Sequence, residues 1–311
     1  MFFHAARRCL DRLRTRPLNH NLRLAAAGTS NIKFGHPDRQ ELKNMLMNEN
    51  ESALFAPLQK ALERNPEKII WWREDDIAHI HPLRLLLRRQ AASRLLFIVS
   101  RLEAYKVPAL LAVEPKNFLD KSAFIKKIVD ECQIPLAIHG IEHRNRAKTG
   151  RSEFPPEYAT EREAGQICKI FEEFKKEYQG RLLPVFVAPF NNIADGLVDL
   201  LAQKGVRTAS FNHLETSDLN ADYDFVDWTI RAILPYQQII RELALLVEGP
   251  RNPICINSHH KIISGKDRPF IDRLLVIIGL HSKQNPDNCH FVSELFAKPI
   301  EADRLERGSP G

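Results

Sequence analysis

The stretch Ile69-Ile70-Trp71-Trp72-Arg73-Glu74-Asp75-Asp76, residues 69–76, joins an apolar run to a cluster of carboxylates. A second stretch, Leu136-Ala137-Ile138-His139-Gly140-Ile141-Glu142-His143, joins another apolar run to a His-x-x-x-His motif. Short apolar runs are typical of buried strands, so the polar residues fall at the carboxyl ends of two strands. Carboxylate oxygens and imidazole nitrogens are ligands of hydrolytic metal sites. The two stretches therefore predict a metal-dependent hydrolase.

Outward from these stretches, short apolar runs alternate with amphipathic segments, which is typical of β-α units around a parallel sheet. The predicted strands are Lys68–Trp72, Val107–Val113, Ile134–Ile138, Leu183–Ala188, Val206–Phe211, Pro253–Asn257 and Cys289–Val292. The predicted helices are Leu83–Tyr105, Asn117–Cys132, Glu157–Tyr178, Ile193–Lys204, Gln237–Val247 and Pro269–Ser282. The pattern predicts an α/β fold: a distorted (β/α)7-type barrel with parallel strands, plus an N-terminal helical extension.

Three regions are expected along the chain: a basic N-terminal extension at 1–37, a helical lead-in at 38–67 and the barrel domain at 68–311. Residues 1–37 hold seven Lys or Arg and one acid, so they account for all of the formal charge of +6. A solvated terminus is favoured over a nucleic-acid-binding arm, because no recognition motif accompanies the charge. We expect no specific nucleic-acid partner.

The cysteines and the N-terminal residues indicate the cellular compartment of the protein. The five cysteines are scattered without a Cys-x-x-Cys spacing, which predicts neither a disulfide framework nor a thiolate zinc site. Residues 1–16 lack the apolar stretch of a secretory signal, and no run reaches membrane-spanning length. A cytoplasmic location is the expectation, with an organellar transit peptide left open.

Polar clusters follow four of the predicted strands: Asp75-Asp76, His139, Pro189-Phe190-Asn191 and Ser258-His259-His260. In β/α architectures the carboxyl ends of the strands converge on the active site, so these clusters are expected to meet. The neighbouring carboxylates of residues 74–76 should repel one another and call for a cation. Of the two adjacent histidines at most one should be catalytic, since strand alternation turns the other away.

Taken in order, these motifs resemble the polysaccharide deacetylase family, also called the NodB-homology or fourth carbohydrate esterase family, over about residues 68–295. The amino-acid sequences of these motifs are most similar to those of a divergent bacterial branch of that family. The resemblance implies Asp76, His139 and His143 as metal ligands. It also implies Asp75 as general base and His259 as general acid, with Asp227 orienting His259. The residues expected to bind substrate are Pro189, Phe190, Asn191, Trp228 and Arg73.

The sequence departs from the family pattern at two positions. Val187 stands where the family usually has an Arg that orients the base, and Arg73 is a candidate substitute for it. Ile77 replaces the Gly that usually follows the Asp pair, which changes the loop after the strand.

The expected activity is metal-dependent removal of an acetyl group from an N-acetylated substrate, such as an amino sugar or polysaccharide. The donor set of two imidazoles and one carboxylate favours Zn²⁺, with Co²⁺ or another first-row ion as an alternative. The expected partner is an acetylated carbohydrate or small molecule. The alternative is a deacetylase-fold protein that binds carbohydrate or a small metabolite with little or no turnover, suggested by the missing Arg.

Overall fold

The computed structural model describes residues 49–78, 88–116, 118, 123–209, 224–227, 236–250, 252–284 and 291–297. All of them belong to one compact unit, Phe34–Gly311. Helix α1 (Glu49–Arg64) falls inside the predicted helical lead-in at 38–67. The predicted basic extension at 1–37 lies outside the described residues, so the boundaries of the three regions stay a prediction.

A seven-stranded sheet with all of its pairings parallel forms the centre of the fold. Its strands are β1 (Ile70–Ile77), β2 (Ala109–Val113), β3 (Leu136–His139), β4 (Leu182–Val187), β5 (Arg207–Ala209), β6 (Asp224–Asp227) and β7 (Ile254–Ser258). Their spatial order is β5-β4-β3-β2-β1-β7-β6, which places β1 between β2 and β7. The predicted α/β fold with parallel strands is confirmed.

Helices alternate with these strands along the chain. Within the described residues they are α2 (Arg88–Tyr105), α3 (Ala123–Glu131), α4 (Glu161–Tyr178), α5 (Asp195–Gln203), α6 (Tyr236–Glu248), α7 (Arg268–Ser282) and α8 (Phe291–Ala297). Each helix from α2 to α7 overlaps a predicted one. The start of α4 follows from its sequence, because the Thr160 hydroxyl accepts a hydrogen bond from the backbone N–H of Glu163 and caps the first turn.

One predicted strand is wrong. Phe291 and Val292, expected at the end of a strand, begin helix α8. The strand that completes the set of seven is instead β6 (Asp224–Asp227), which was not predicted. Val292 and Phe296 are both buried and lie four residues apart, which is the spacing of one helix face. The strand β6 was missed because it has only two apolar residues between two acids.

The two faces of the sheet pack differently. One face, which we call the inner face, is covered by α8. It carries Trp71 and a set of smaller residues at alternating strand positions: Leu110, Ala112, Ala137, Val185, Val187, Ala209 and Cys255. On it the Trp71 ring meets the Phe296 ring edge-on, with centroids 5.9 Å apart. The opposite face packs against the helices through a larger apolar cluster that includes Trp72 and Ile138. Strand alternation therefore places Arg73, Asp75 and His139 on the inner face.

Among the described residues no helix is both long and apolar enough to cross a membrane.

Candidate active site

The carboxyl end of β1 departs from regular strand geometry. Its pairing with β2 shifts register between Glu74 and Ile77, and Asp76 adopts φ of 60°. A non-glycine residue in the left-handed region costs of the order of 1 kcal/mol or more and is held there by surrounding contacts. The irregularity separates Asp76 from the strict alternation of the strand, so that Asp75 and Asp76 have different neighbours.

Asp76, His139 and His143 form a compact cluster whose ligand atoms all lie within 4.8 Å of one another. Nε2 of His139 is 3.1 Å from Oδ1 of Asp76, and Nε2 of His143 is 2.8 Å from the same oxygen. Donors around a tetrahedral zinc ion stand about 3.3 Å apart, given metal bonds of about 2.0–2.1 Å. The two nitrogens and one oxygen therefore suit zinc or a similar ion, and they leave a fourth position for water.

The tautomer of His139 also favours a cation. Nδ1 of His139 lies 3.1 Å from the carbonyl oxygen of Val187, which can only accept a hydrogen bond, so Nδ1 carries the proton. In the neutral ring Nε2 is then an acceptor, and it faces the carboxylate oxygen of Asp76, also an acceptor. Two acceptors at this distance repel each other unless a positive charge lies between them, either a proton, which makes the contact a hydrogen bond, or a metal ion. A metal ion between them would supply that charge.

The protonation equilibria of the three residues are strongly perturbed. Burial acts to raise the pKa of Asp76, but hydrogen bonds with His139 and His143 and the charge of Lys261 hold this pKa well below its usual range. Burial lowers the pKa of His139, which favours the neutral form that binds metals. Burial acts in the same direction on His143, but the hydrogen bond with Asp76 and the negative charge of that carboxylate together outweigh burial and leave the pKa raised.

Asp75 is held by an arginine on its own strand. Nε and Nη2 of Arg73 donate to Oδ1 and Oδ2 of Asp75 at 2.9 and 2.7 Å, and both side chains are almost fully buried. Nη2 of Arg73 also donates to Oδ1 of Asn191 at 2.8 Å. A two-pronged contact of this kind fixes the position of the carboxylate and pairs it with a positive charge. Arg73 thus makes the contact with Asp75 that was expected of a substitute for the arginine absent at Val187.

The structure does not show the expected crowding of three carboxylates. Glu74 alternates to the opposite face of β1, where it accepts from Trp72 Nε1 at 3.2 Å and from the backbone N–H of His260. Its Oε1 also lies 3.1 Å from Nδ1 of His260. Because Glu74, Asp75 and Asp76 each have separate positive or donor partners, the case for a cation rests on Asp76 and its two histidines alone.

The two adjacent histidines after β7 differ in the way that alternation predicts. His260 is fully buried against Glu74, whereas His259 is only partly buried. Nδ1 of His259 has no hydrogen-bond partner in the described part of the chain. Asp227 pairs by its backbone with Asn257, two residues before His259. The side chain of Asp227 and all of Trp228 lie outside the described residues, so their roles stay predictions.

The predicted substrate-binding residues of the third cluster lie beside the histidines. Pro189–Asn191 form a short 3-10 turn in which Phe190 and Asn191 have φ of 61° and 51°. The Phe190 ring lies 4.7 Å from the His143 ring, centroid to centroid. Pro189 lies against Gly140, where an added Cβ would come within 2.3 Å of Pro189 Cγ.

Two residues of the site were not predicted. Nζ of Lys261 donates to Oδ2 of Asp76 at 3.2 Å, which leaves Oδ1 to the two histidines. Glu153 accepts from the backbone N–H groups of Ile141 and Glu142 at 3.2 and 2.8 Å and so fixes the loop that carries His143. Burial raises the pKa of Glu153 against these hydrogen bonds. Neither residue follows a strand directly, and the sequence offered no spacing that would have identified them.

Comparison with known proteins finds two solved structures of related form. One is a family 4 acetyl xylan esterase from Clostridium thermocellum in complex with cobalt, at 15% identity and a TM-score of 0.43, covering 75% of this chain and 96% of the other. The second is the Xyl-CE4 domain of a multidomain xylanase from the hindgut metagenome of Trinervitermes trinervoides, at 14% identity and a TM-score of 0.40, covering 73% and 91%. No family model and no curated protein matches the sequence.

Proposed function

We propose that this protein is a metal-dependent deacetylase that hydrolyses the N-acetyl group of an amino sugar or a similar substrate. The observation that carries the proposal is the cluster of Asp76, His139 and His143, which lies beside a buried carboxylate, Asp75, that has its own arginine. The expected ion is Zn²⁺, with Co²⁺ as an alternative. A deacetylase needs both parts: donors for a Lewis acid and a fixed base.

The roles of the chain's residues follow from their positions. A bound ion supplies Lewis-acid activation of water and of the acetyl carbonyl. Asp75 takes the proton of the attacking water, because the two hydrogen bonds from Arg73 hold its carboxylate in place. His259, partly exposed at the carboxyl end of β7, gives a proton to the leaving amine, with Asp227 expected to orient it. Phe190, packed on His143, is expected to contact the sugar ring or acetyl group.

The alternative of a carbohydrate-binding protein without turnover is not favoured. It was suggested by the absence of an arginine before Pro189, and the Arg73–Asp75 pair supplies an arginine contact to the base from another position. The proposal therefore keeps hydrolysis as the activity.

The first test is the metal content of the purified chain by elemental mass spectrometry, beside the double variant His139→Ala/His143→Ala. Near-stoichiometric zinc or a similar ion, lost in the double variant, is expected. Absence of metal from the wild-type chain even after incubation with zinc and cobalt would overturn the proposal.

The second test is acetate release from matched N-acetyl and O-acetyl sugars. Asp75→Asn should reduce turnover by at least about a hundredfold, the usual scale of a general base, while metal content is retained. Asp199→Asn, which removes an exposed carboxylate on α5, is the matched control and should keep full activity. Normal turnover by Asp75→Asn would refute the assignment of the base, and release from O-acetyl sugars alone would make the enzyme an esterase.

A further inference from the structure

The loop that follows His143 is strongly basic. It contains Arg144, Arg146, Lys148 and Arg151 within eight residues. Arg146 is half-buried and pairs with Glu163 at 3.4 Å. The other three, Arg144, Lys148 and Arg151, have exposed side chains, and we call them the basic rim.

This loop is held in one conformation by its own hydrogen bonds. The side-chain oxygen of Asn145 accepts from the backbone N–H groups of Ala147 and Ser152 at 3.2 and 3.0 Å, and its side-chain nitrogen donates to the carbonyl of Gly150. Asn192 donates to the carbonyl of Arg151 at 3.0 Å, which ties the loop to the segment that carries Phe190. The cations of the basic rim are therefore presented from an ordered support beside the metal cluster.

Arg151 links the basic rim directly to the site. Its guanidinium carbon lies 4.4 Å from the centroid of the Phe190 ring, and that ring lies 4.7 Å from the ring of His143. A guanidinium stacked on an aromatic ring has its face covered while the N–H groups in its plane remain able to bind a carboxylate or phosphate. Phe190 thus orients Arg151 for contact with a group bound next to the ligand histidine.

The acids near the basic rim have other partners. Glu142 pairs with Lys116, and Glu153 is buried under the loop, where it accepts from the backbone N–H groups of Ile141 and Glu142. Within the described residues Arg144, Lys148 and Arg151 make no ion pair. Three exposed positive charges on one ordered loop attract anionic ligands more strongly than scattered surface charges do.

We propose that the substrate is an anionic acetylated sugar. Its carboxylate or phosphate lies close to the acetylated position and is bound by the basic rim. This inference rests on the proposed deacetylase function, and it narrows the substrate class of the same site. A neutral acetylated glycan would leave the rim without a ligand.

The test is binding by calorimetry to the zinc-loaded chain, with three probes that share one acetylated ring: N-acetylglucosamine, N-acetylglucosamine 1-phosphate and N-acetylglucosaminuronic acid. The charged probes are expected to bind at least about tenfold more tightly than the neutral one, the scale of one charged hydrogen bond. The two charged probes separate a phosphate-selective rim from a carboxylate-selective one. The preference should shrink when salt is raised to screen exposed charges.

The variant Arg144→Gln/Arg151→Gln should reduce this preference to about twofold or less. The matched control is Arg162→Gln/Lys169→Gln, which removes two exposed cations from α4 and should keep the preference. Equal binding of neutral and charged probes by the wild-type chain would overturn the inference. Failure of the charged probes to bind, or a preference that persists in the rim variant, would overturn it as well.

Acetate release from the same three probes distinguishes the two proposals. A charged preference in binding without acetate release from any of them would support the anionic site and count against deacetylation. Release from all three at equal efficiency, without a preference in binding, would support deacetylation and refute the anionic site.

Discussion

At the scale of single residues, the site shows how adjacent identical groups acquire different chemistry. Asp75 and Asp76 are neighbours in sequence, yet one is neutralised by Arg73 and the other faces two imidazoles and Lys261. The difference comes from the register shift and the positive φ at Asp76. Environment therefore separates the expected base from the expected ligand.

Replacement of Arg73 should destabilise the fold, because it leaves the buried carboxylate of Asp75 without its partner. We expect Arg73→Met to lower the free energy of unfolding by about 3–5 kcal/mol, measured by urea denaturation. In Arg73→Met/Asp75→Asn the unpaired charge is gone, and part of this loss should be recovered. An Arg73→Met chain with wild-type stability would show that the ion pair contributes nothing.

Gly140 should tolerate no side chain. Its φ is +68°, and an added Cβ would come within 2.3 Å of both Glu153 Oε2 and Pro189 Cγ. Gly140→Ala is expected to lose about 2–4 kcal/mol of stability and to weaken metal binding, because the loop that carries His143 must shift. Gly150→Ala is the matched control, with φ of +72° and open space around it. It should lose only the smaller backbone cost, and equal losses in the two variants would contradict the steric argument.

At the scale of secondary structure, α3 and α4 are joined by a polar cluster. Lys126 on α3 contacts Asp130, Glu177 and Tyr178, and the Tyr178 hydroxyl donates to Asp130 at 2.6 Å. Partial burial and the hydrogen bond with Asp130 raise the pKa of Tyr178 to about 12. This contact fixes two helices of the outer layer against each other.

The raised pKa of Tyr178 predicts a loss of stability at high pH. The folded state holds the phenol proton more tightly than the unfolded chain, whose tyrosine pKa is about 10. The contribution is complete below pH 10 and disappears as the pH rises from there to about 12. Unfolding in urea across this range should show a steeper decline for the wild-type chain than for Tyr178→Phe. Parallel declines in the two chains would refute the linkage.

Much of the element layout could be predicted from the sequence, because six strands and six helices follow clear apolar periods. The charged end of β1 could not be predicted in this way. The predicted strand stops at Trp72, whereas in the structure the strand continues through Arg73, Glu74 and Asp75, which are buried. Had the strand been extended, its two-residue period would have placed Arg73 beside Asp75. The predicted ligands do come together, but Lys261 and Glu153 could not be found, because their contacts depend on loop paths that no period encodes.

At the scale of the whole molecule, the metal cluster joins segments far apart in the chain. Asp76 ends β1, His139 ends β3, and His143 lies in the loop beyond it, with β2 between the two strands. Parallel order makes this possible, because all the strands end at the same edge of the sheet. A bound ion would therefore stabilise the folded chain over the unfolded one.

Metal should raise the melting temperature of the whole domain. At a hundredfold excess over its dissociation constant an ion contributes about 2.7 kcal/mol, which corresponds to roughly 4–5 °C for a chain of this size. Thermal unfolding with zinc or with a chelator should show this difference for the wild-type chain. His139→Ala/His143→Ala should show almost none, and an equal shift in that variant would place the ion elsewhere.

The pairing of Arg73 with Asp75 within a single strand would let the segments around the proposed site change independently of it. The distance between guanidinium and carboxylate is set by the pleat of β1, and the turn at Pro189–Asn191 contributes only an amide contact to Arg73. That turn could be exchanged for a segment of another length or composition without removing the arginine partner of Asp75. Residues 71–76 would then keep the expected base and its arginine together through such exchanges, while the metal site would still depend on His139 and His143.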